Sequence, residues 1–575
     1  MPIPSLVERR WTFPELPDSL AVAQLRRELR LPEALCRLLV ARGHGETESA
    51  KAFLRPHAGH LHQPALFAGM GDAVARIRRA INHGETILAH GDYDVDGICS
   101  TAIFVRALTM LGARVAPFVP HRLQDGYDLG DAGIRAAQAI GATLIVTGDC
   151  GIVAHDAVDR ARAAGIDVVV TDHHTPGPDL PRAAAVVNPN RADCPYPEKG
   201  LCGAAIAWKT CLALAGELGL PEERLQALLD LVAIATIADL APLGGENRTL
   251  VRWGLKVLAQ TPNPGLRALL QATGLAGRST ISAGDVGFVL GPRINAVGRM
   301  SEALNGVQLL LTSDPDEAER IALGLEADNR ERKAVDSQTL REALTLLEAS
   351  YAPDRDRGVV LAKEGWHPGV IGIVASRVVE RIHRPTVMIA LDGTNEGKGS
   401  ARSVPGFHLF EAMRDCREHL TRFGGHKQAA GCAILPDCVD GFRAAFNARA
   451  RAALTDDLLV PEVGVDVELG LGEANEELVR LLRHAGPFGM GNPTPTFAVR
   501  GVYLDGTPRV VGQNHLKLAL TSGDHTLDAI GFGMGDRVPA LSGTSLDVAF
   551  RLEENSWNGR TTVQAKLVDL RPAAR

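Results

Sequence analysis

Between residues 86 and 243, short apolar runs alternate with stretches of helical spacing, and this alternation constrains the fold more than any other feature of the chain. Residues 86–89 (TILA), 113–119 (ARVAPFV), 143–146 (TLIV), 167–170 (DVVV) and 184–187 (AAVV) read as strands, and 98–111, 131–140 and 153–164 as the helices between them. A strand–helix–strand repeat of this kind gives a mostly parallel sheet covered by helices on both faces. Ligands of such sheets sit beyond the carboxyl ends of the strands. Those ends here carry polar clusters: HGDYDVDG after TILA, GD after TLIVT and TDHH after DVVV.

The rest of the chain is organised around that region. At 575 residues it is too long for one core, and ~150 residues per domain suggests three or four. A 45% hydrophobic and 22% charged composition excludes a disordered chain. No run approaches the ~20 apolar residues that span a bilayer, and the opening MPIPSLVERRWTF has no apolar h-region, so neither a membrane span nor a secretory signal is expected. Nine cysteines, scattered without a CxxC pair, point to reduced thiols in a cytoplasmic protein rather than to a disulfide framework or a zinc site.

Residues 1–75 read as mainly helical, and 76–312 as the parallel-sheet domain with a helical extension. From 313 to 350 the pattern is one charged helix opening on SDPDEAER, with a capping residue, a proline in the first turn and early acids. Roughly 36 helical residues would extend about 54 Å, which suits a connector. A second, smaller α/β domain follows over 351–456, with strands GVVLAK and TVMIAL and loops rich in Gly, His, Lys and Arg. Residues 457–575 read as short strands, Gly-rich turns and one helix near 475–484, suggesting a C-terminal β-barrel of the OB type.

The chemistry concentrates at His90-Gly-Asp92-Tyr-Asp94-Val-Asp96-Gly97. Alternate residues at a strand end share a side, and three crowded carboxylates repel one another unless cations lie between them. Asp149 and Asp172-His173-His174 close the next two strands, and Asp239 ends the apolar run LLDLVAIATIADL. A calcium loop needs a Glu at its twelfth position; counting from Asp92, Ile103 stands there. Carboxylates with imidazoles and no thiolate suit Mn²⁺ or Mg²⁺. Two such ions ~3.5–4 Å apart can activate water and stabilise a phosphoryl transition state.

The motifs HGDYDVDGICST, VTGDCG, VVVTDHHTPGPDLP and ATIADLAPL resemble the four motifs of the DHH phosphoesterase superfamily. GPRINAVGRM, GWHPGVIGIVASR, GKGSARS, FGGHKQAAG and PFGMGNPTPTF are similar to the RecJ family within it, over roughly residues 70–570. The resemblance implies a DHH domain, a DHHA1-like second domain and an OB-fold DNA-binding domain. It also implies metal-dependent 5′→3′ hydrolysis of single-stranded DNA to 5′ mononucleotides, in recombination and repair. Asp94, with His90 or Asp92, would hold one metal; Asp96, Asp149, His173 and Asp239 would hold the other, with Asp149 bridging. His174 would contact the scissile phosphate, and Asp172 would orient the histidine pair. Many superfamily relatives carry Asn where Asp92 stands.

Single-stranded DNA is the expected partner, and its 5′ phosphate would be read by Arg122, Ser400, Arg402 and one of Arg293 or Arg299. Gly424, Gly425 and His426 resemble the substrate-binding signature of the second domain. Phe488, Phe497, Tyr503, Trp557, Arg551 and Arg560 are the candidates for a strand track on the barrel. A net charge of −7 does not oppose this, because binding follows local potential. A monomer acting with a helicase and a single-stranded-DNA-binding protein is expected. The rival reading in the same chemistry is a phosphodiesterase of short oligonucleotides or cyclic dinucleotides.

Overall fold

Five strands, β1 (Thr86–Gly91), β2 (Arg114–Phe118), β3 (Ala142–Gly148), β4 (Asp167–Thr171) and β5 (Ala185–Val187), form an all-parallel sheet in the order β2-β1-β3-β4-β5. The computed structural model describes residues 9–573 apart from 122–124, 127, 301–303, 394–395, 542–544 and 558–559. The chain divides into two units, one of Pro17–Asn329 with Asn475–Thr494, the other of Arg330–Ala474 and Pro495–Arg575 with the N-terminal residues up to Leu16.

In the first unit the sheet is followed through by α1 (Val95–Met110), α2 (Asp131–Ala139), α3 (His155–Ala163), α4 (Gly203–Glu217) and α5 (Leu229–Ala238). One face of the sheet packs Val146 with Ile98 and Phe104 of α1, Ile206 of α4 and Ile234 of α5. The other packs Leu88, Ile145 and Val168 with Ile134 of α2 and Val158 of α3. Helix α1 is apolar on nearly every side because it is buried from Val95 to Phe104 without a break. Strand order reverses between β1 and β3, so a crevice opens at their carboxyl ends, where Asp92 and Asp149 stand.

A π-helical turn (Val286–Leu290) leads into α6 (Gly291–Met300), and α7 (Pro315–Ser350) is a single helix 36 residues long. In the second unit, α8 (Ile371–Ile382) packs on a five-stranded sheet of β6 (Val359–Glu364), β7 (Thr386–Leu391), β8 (Gly397–Arg402), β9 (Arg422–Gly425) and β10 (Ala429–Ile434). Its order is β9-β10-β8-β7-β6, with only β6 and β7 parallel. The barrel is a seven-stranded sheet, and Phe497–Leu504 pairs with both Leu546–Trp557 and His515–Ser522 to curl it round.

Two segments fall elsewhere than the sequence pattern suggests. Arg10–Thr12 is a strand pairing in parallel with Glu462–Gly464, and Trp11 is buried among Val463, Val465, Ala498 and Ala549 with its indole donating to Asp569 Oδ2 at 2.7 Å. The residues were read with the N-terminal helices; a tryptophan that finds both an apolar socket and an acceptor overrides that local signal. Helix α9 (Glu476–Ala485) was read with the barrel but belongs to the first unit, where Arg248 donates to His484 O at 3.1 Å and Gly486 O at 2.7 Å. The open carbonyls at its C-terminal end are the acceptors that this buried guanidinium requires. Among the described residues no helix is long and apolar enough to cross a membrane.

Candidate active site

The loop after β1 turns into α1 because Asp94 caps the helix, its Oδ1 accepting the N–H groups of Asp96 at 2.9 Å and Gly97 at 3.1 Å. That cap fixes Asp92, Asp94 and Asp96 at the mouth of the crevice. Asp149 follows β3 in a left-handed conformation, φ 67°, with its N–H on Thr171 O of β4 at 3.1 Å. Asp172 follows β4 and takes four donors: Ile152 N at 3.0 Å, His173 N at 2.7 Å, His174 N at 3.0 Å and His174 Nδ1 at 2.8 Å. Asp239 caps the C-terminal end of α5.

These side chains converge. Asp92, Asp94 and Asp149 present ligand atoms within 4.8 Å of one another, as do Asp96, His173 and Asp239, and also Asp149, His173 and His174. Asp149 and His173 each belong to two groups, so the three are contiguous. His173 Nε2 lies 3.0 Å from Asp149 Oδ1, and 3.8 Å from both Asp96 Oδ2 and Asp239 Oδ2.

Burial, followed by the charges of Asp96 and Asp94, pushes the Asp149 carboxyl well above its usual range. The same causes in the same order lift Asp239 to about 8, and burial also raises Asp96. Such a cluster is short of positive charge. Among the described residues, the buried Asp149 Oδ1 and His173 Nε2 lack hydrogen-bond partners. A buried carboxylate and an imidazole nitrogen left facing each other fit divalent cations held by oxygen with some nitrogen. His174 differs: burial opposes its proton, but the Asp172 hydrogen bond and the charges of Asp172 and Asp239 prevail and raise it to about 9. Burial likewise disfavours charge on Asp172, yet the bond and charge of His174 outweigh it and hold the carboxyl below its ordinary value.

His90 stands in none of these three groups. Its ring faces α2, where a Cβ built on Gly133 would come within 2.7 Å of Nε2, and Cys150 Sγ lies 3.6 Å from Nδ1. Burial lowers it to about 4, and its buried Nε2 has no hydrogen-bond partner among the described residues.

One part of the site is carried by backbone and left no side-chain signal. Asp96 Oδ2 accepts Gly203 N at 2.6 Å and Oδ1 accepts Ala204 N at 2.7 Å, so the first N–H groups of α4 hold this carboxylate in place. A Cβ on Gly203 would meet Asp149 Cβ at 2.5 Å. The sign available in the sequence is a small-residue helix start, CGAA, ahead of an apolar run.

In the second unit Ser400 and Arg402 neighbour each other on β8, with Arg402 Nη1 donating to Ser400 Oγ at 3.2 Å and to Ala401 O at 2.8 Å. Burial lowers the guanidinium's affinity for its proton, and no carboxylate pairs with it among the described residues. The start of α8 comes so close that a Cβ on Gly372 would lie 2.8 Å from Ser400 Oγ and 3.0 Å from Arg402 Nη2. Half-buried cation, hydroxyl and helix N-terminus together make a cradle suited to a phosphate.

The remaining candidates scatter. Arg293 is bound to Glu326 Oε2 at 2.5 Å and to Val289 O at 2.7 Å. The segment was expected to offer Arg293 or Arg299 to the 5′ phosphate; Glu326 reaches Arg293 from α7, beyond what local sequence can reveal. Arg299 lies in α6 with its side chain outside the described set, and Arg122 lies outside the described residues. Gly424 and Gly425 end β9 and His426 follows, all three exposed. On the barrel Phe497 is core, its ring tilted at 41° to that of Phe550 with centroids 6.3 Å apart, whereas Tyr503 and Arg551 are exposed. Phe488 is half-buried in the segment that belongs to the first unit, and the side chains of Trp557 and Arg560 lie outside the described set.

Family models match the chain in three places: "DHH family, N-terminal domain" over residues 86–236, "DHHA1 domain" over 356–452 and "RecJ OB domain" over 465–569. Over 564 residues it is 37% identical to the single-stranded-DNA-specific exonuclease RecJ of Bacillus subtilis, covering 97% of this chain and 70% of that one. The corresponding protein of Escherichia coli is 38% identical, with 94% of this chain and 96% of the relative covered. The crystal structure of Thermus thermophilus RecJ in complex with Mn²⁺ superposes with a TM-score of 0.84 at 34% identity, covering 98% of this chain and 80% of that one. The agreement spans the metal-binding sheet, the second domain and the barrel alike, and the chain therefore belongs to the RecJ family.

Proposed function

We propose that this chain degrades single-stranded DNA from its 5′ end, releasing 5′ mononucleotides with the help of two divalent cations, in DNA recombination and repair. The observation that carries the reading is the facing pair of buried, unbonded atoms at Asp149 and His173, 3.0 Å apart within a ring of carboxylates. Its support comes from relatives named for single-strand exonuclease activity and from a relative solved with Mn²⁺.

Asp92, Asp94 and Asp149 would hold one cation, and Asp96, His173 and Asp239 the other, with Asp149 shared. When bound, such a pair supplies an activated water and neutralises charge developing on a phosphodiester. His174, kept protonated and aimed by Asp172, donates to the phosphate as negative charge builds on it. Ser400 and Arg402 would take the 5′ phosphate, with Arg122 and Arg299 as further cations; Arg293, engaged by Glu326, orders α6 instead. The barrel would guide the strand, with a helicase and a single-stranded-DNA-binding protein supplying it.

The test is digestion of long single strands labelled at either end, beside duplex and dinucleotides, with Mn²⁺ or Mg²⁺ and with chelator. Mononucleotides released first from the 5′ end of single strands are expected. Hydrolysis confined to dinucleotides would select the short-oligonucleotide reading.

A further inference from the structure

Asp239 owes its place to the turn that follows α5, and that turn is held at both ends. At the near end Leu240 N donates to Ile237 O at 3.3 Å and Ala241 N to Thr236 O at 3.1 Å, the two bonds that close a helix around a left-handed residue. That residue is Leu240, φ 58°, a conformation that strains a leucine and persists only where the surroundings hold it. At the far end the buried Leu243 donates its N–H to Met490 O at 2.7 Å. Met490 belongs to PFGMGNPTPTF, a motif with no acid, imidazole or cation of its own.

The motif closes into a tight loop around Asn492, which is 3% exposed. Asn492 Nδ2 donates to Ala485 O at 2.9 Å and to Pro487 O at 2.8 Å, and its Oδ1 accepts Arg42 Nη1 at 2.6 Å. Its backbone exchanges bonds with Gly489, N to O at 3.2 Å and O from N at 2.9 Å. Arg42 adds a second bond, from Nη2 to Pro493 O at 2.8 Å. One side chain thus fixes both ends of a loop whose intervening carbonyl, Met490 O, is presented to Leu243. Glycine flanks that carbonyl on either side because the approach is close. A Cβ on Gly489 would lie 2.7 Å from Leu243 Cδ1, and one on Gly491, φ 72°, 3.3 Å from Pro242 Cβ. All of these residues lie in the first unit.

We propose that Asn492 is a positioning residue for Asp239: by shaping the loop that offers Met490 O to Leu243, it sets where the Asp239 carboxylate stands beside Asp96 and His173. The inference rests on the functional reading above and gives the motif a task within it. Asp94 is placed by its cap on α1 and Asp149 by its bond to β4, so neither depends on this brace. Loss of the brace therefore acts on the cation group that contains Asp239 and spares the group of Asp92, Asp94 and Asp149. A general loss of stability would not choose between them.

The test follows Mn²⁺ binding to the full chain by calorimetry and by the rise in melting temperature, with cleavage of a 5′-phosphorylated single strand alongside. Asn492→Ala should weaken one of two Mn²⁺ binding events about 10–100-fold, the usual cost of losing a group that orients a metal ligand, and leave the other unchanged. The Mn²⁺ concentration that half-saturates cleavage should rise by the same factor, while the rate at saturating Mn²⁺ returns to that of the parent. Asn263→Ala removes a similarly buried amide of the same unit, one that caps the helix Pro264–Ala272, and should lower melting without altering either binding event. Gly489→Ala keeps the Asn492 side-chain bonds and presses on Leu243, so it should reproduce the selective loss. In Asn492→Ala, or in Gly489→Ala where the first does not fold, both ions bound as in the parent would overturn the brace, as would both weakened alike. A parent that binds Mn²⁺ but digests no single strand removes the functional reading alone, because the binding readout still tests the brace. A parent that binds no Mn²⁺ removes both.

Discussion

Asp149 in the first unit and Arg402 in the second are each backed by a glycine at the start of a helix, yet the two surroundings are electrically opposite. Gly203 lets α4 close on Asp149 and lend its N–H groups to Asp96; Gly372 lets α8 close on Ser400 and Arg402. Around Asp149 more acids crowd together, and burial with the neighbouring carboxylates raises Asp149, Asp96 and Asp239 above their usual range. Around Arg402 there is one half-buried cation whose side-chain bonds go to a hydroxyl and a carbonyl. The first arrangement is short of positive charge, and the second is a cation with no carboxylate partner among the described residues. The helix start serves different ends: it orients the protein's own carboxylate in one case and is open to a ligand in the other.

The carboxylate side breaks most sharply. Asp149→Ala should lower Mn²⁺-dependent cleavage on the order of 10³-fold or more, because it removes a donor from two contiguous groups. Mn²⁺ should also stop raising the melting temperature, as linkage requires when binding is lost. A normal rate in that variant would sink the metal assignment. Gly203→Ala comes next. Its new methyl overlaps Asp149 Cβ, so the ligands shift by a fraction of an ångström to an ångström, a displacement that costs about 10²-fold in rate. The Mn²⁺ concentration giving half the full melting shift should rise in parallel. Unchanged metal affinity would mean that the cluster tolerates movement and that α4 is not what sets it.

Gly203 also shows where sequence reading stops. Every strand of the catalytic sheet and every acid at its ends can be read from period and position, because burial on both faces gives a parallel strand an unbroken apolar run. What a strand end is held by cannot be read in that way. Gly203 and Ala204 act through N–H groups that every residue but proline has, and the clue in CGAA is visible only once Asp96 is known to face it. Trp11 and α9 fail for a related reason: short segments commit to whichever distant surface satisfies them. His90 entered as a ligand through the family resemblance, and its buried Nε2, beside Gly133, has no hydrogen-bond partner among the described residues.

On the cationic side the effect is smaller and selective. Arg402→Ala should cost about tenfold in cleavage of a 5′-phosphorylated strand, the worth of a charge-assisted bond. It should cost much less on a strand ending in a 5′ hydroxyl, and leave the Mn²⁺ melting shift intact. Equal losses on both ends would remove the phosphate cradle from the comparison.

The smallest effect on activity is expected at Arg293, the arginine that has what Arg402 lacks. Its guanidinium is only slightly exposed and pairs with Glu326 at 2.5 Å, so its charge is spent inside the protein. Arg293→Met should leave cleavage within about twofold and the slope of binding against salt unchanged, since no phosphate contact is lost. It should lower stability by roughly 1–3 kcal/mol through the carboxylate left behind. Adding Glu326→Gln should recover part of that loss, because a neutral amide tolerates a missing cation better than a carboxylate does. A salt slope lowered by about one in Arg293→Met would instead place this arginine on the DNA. In that case carboxylate pairing in the ligand-free chain does not separate structural arginines from those that grip the strand, and the contrast with Arg402 loses its basis.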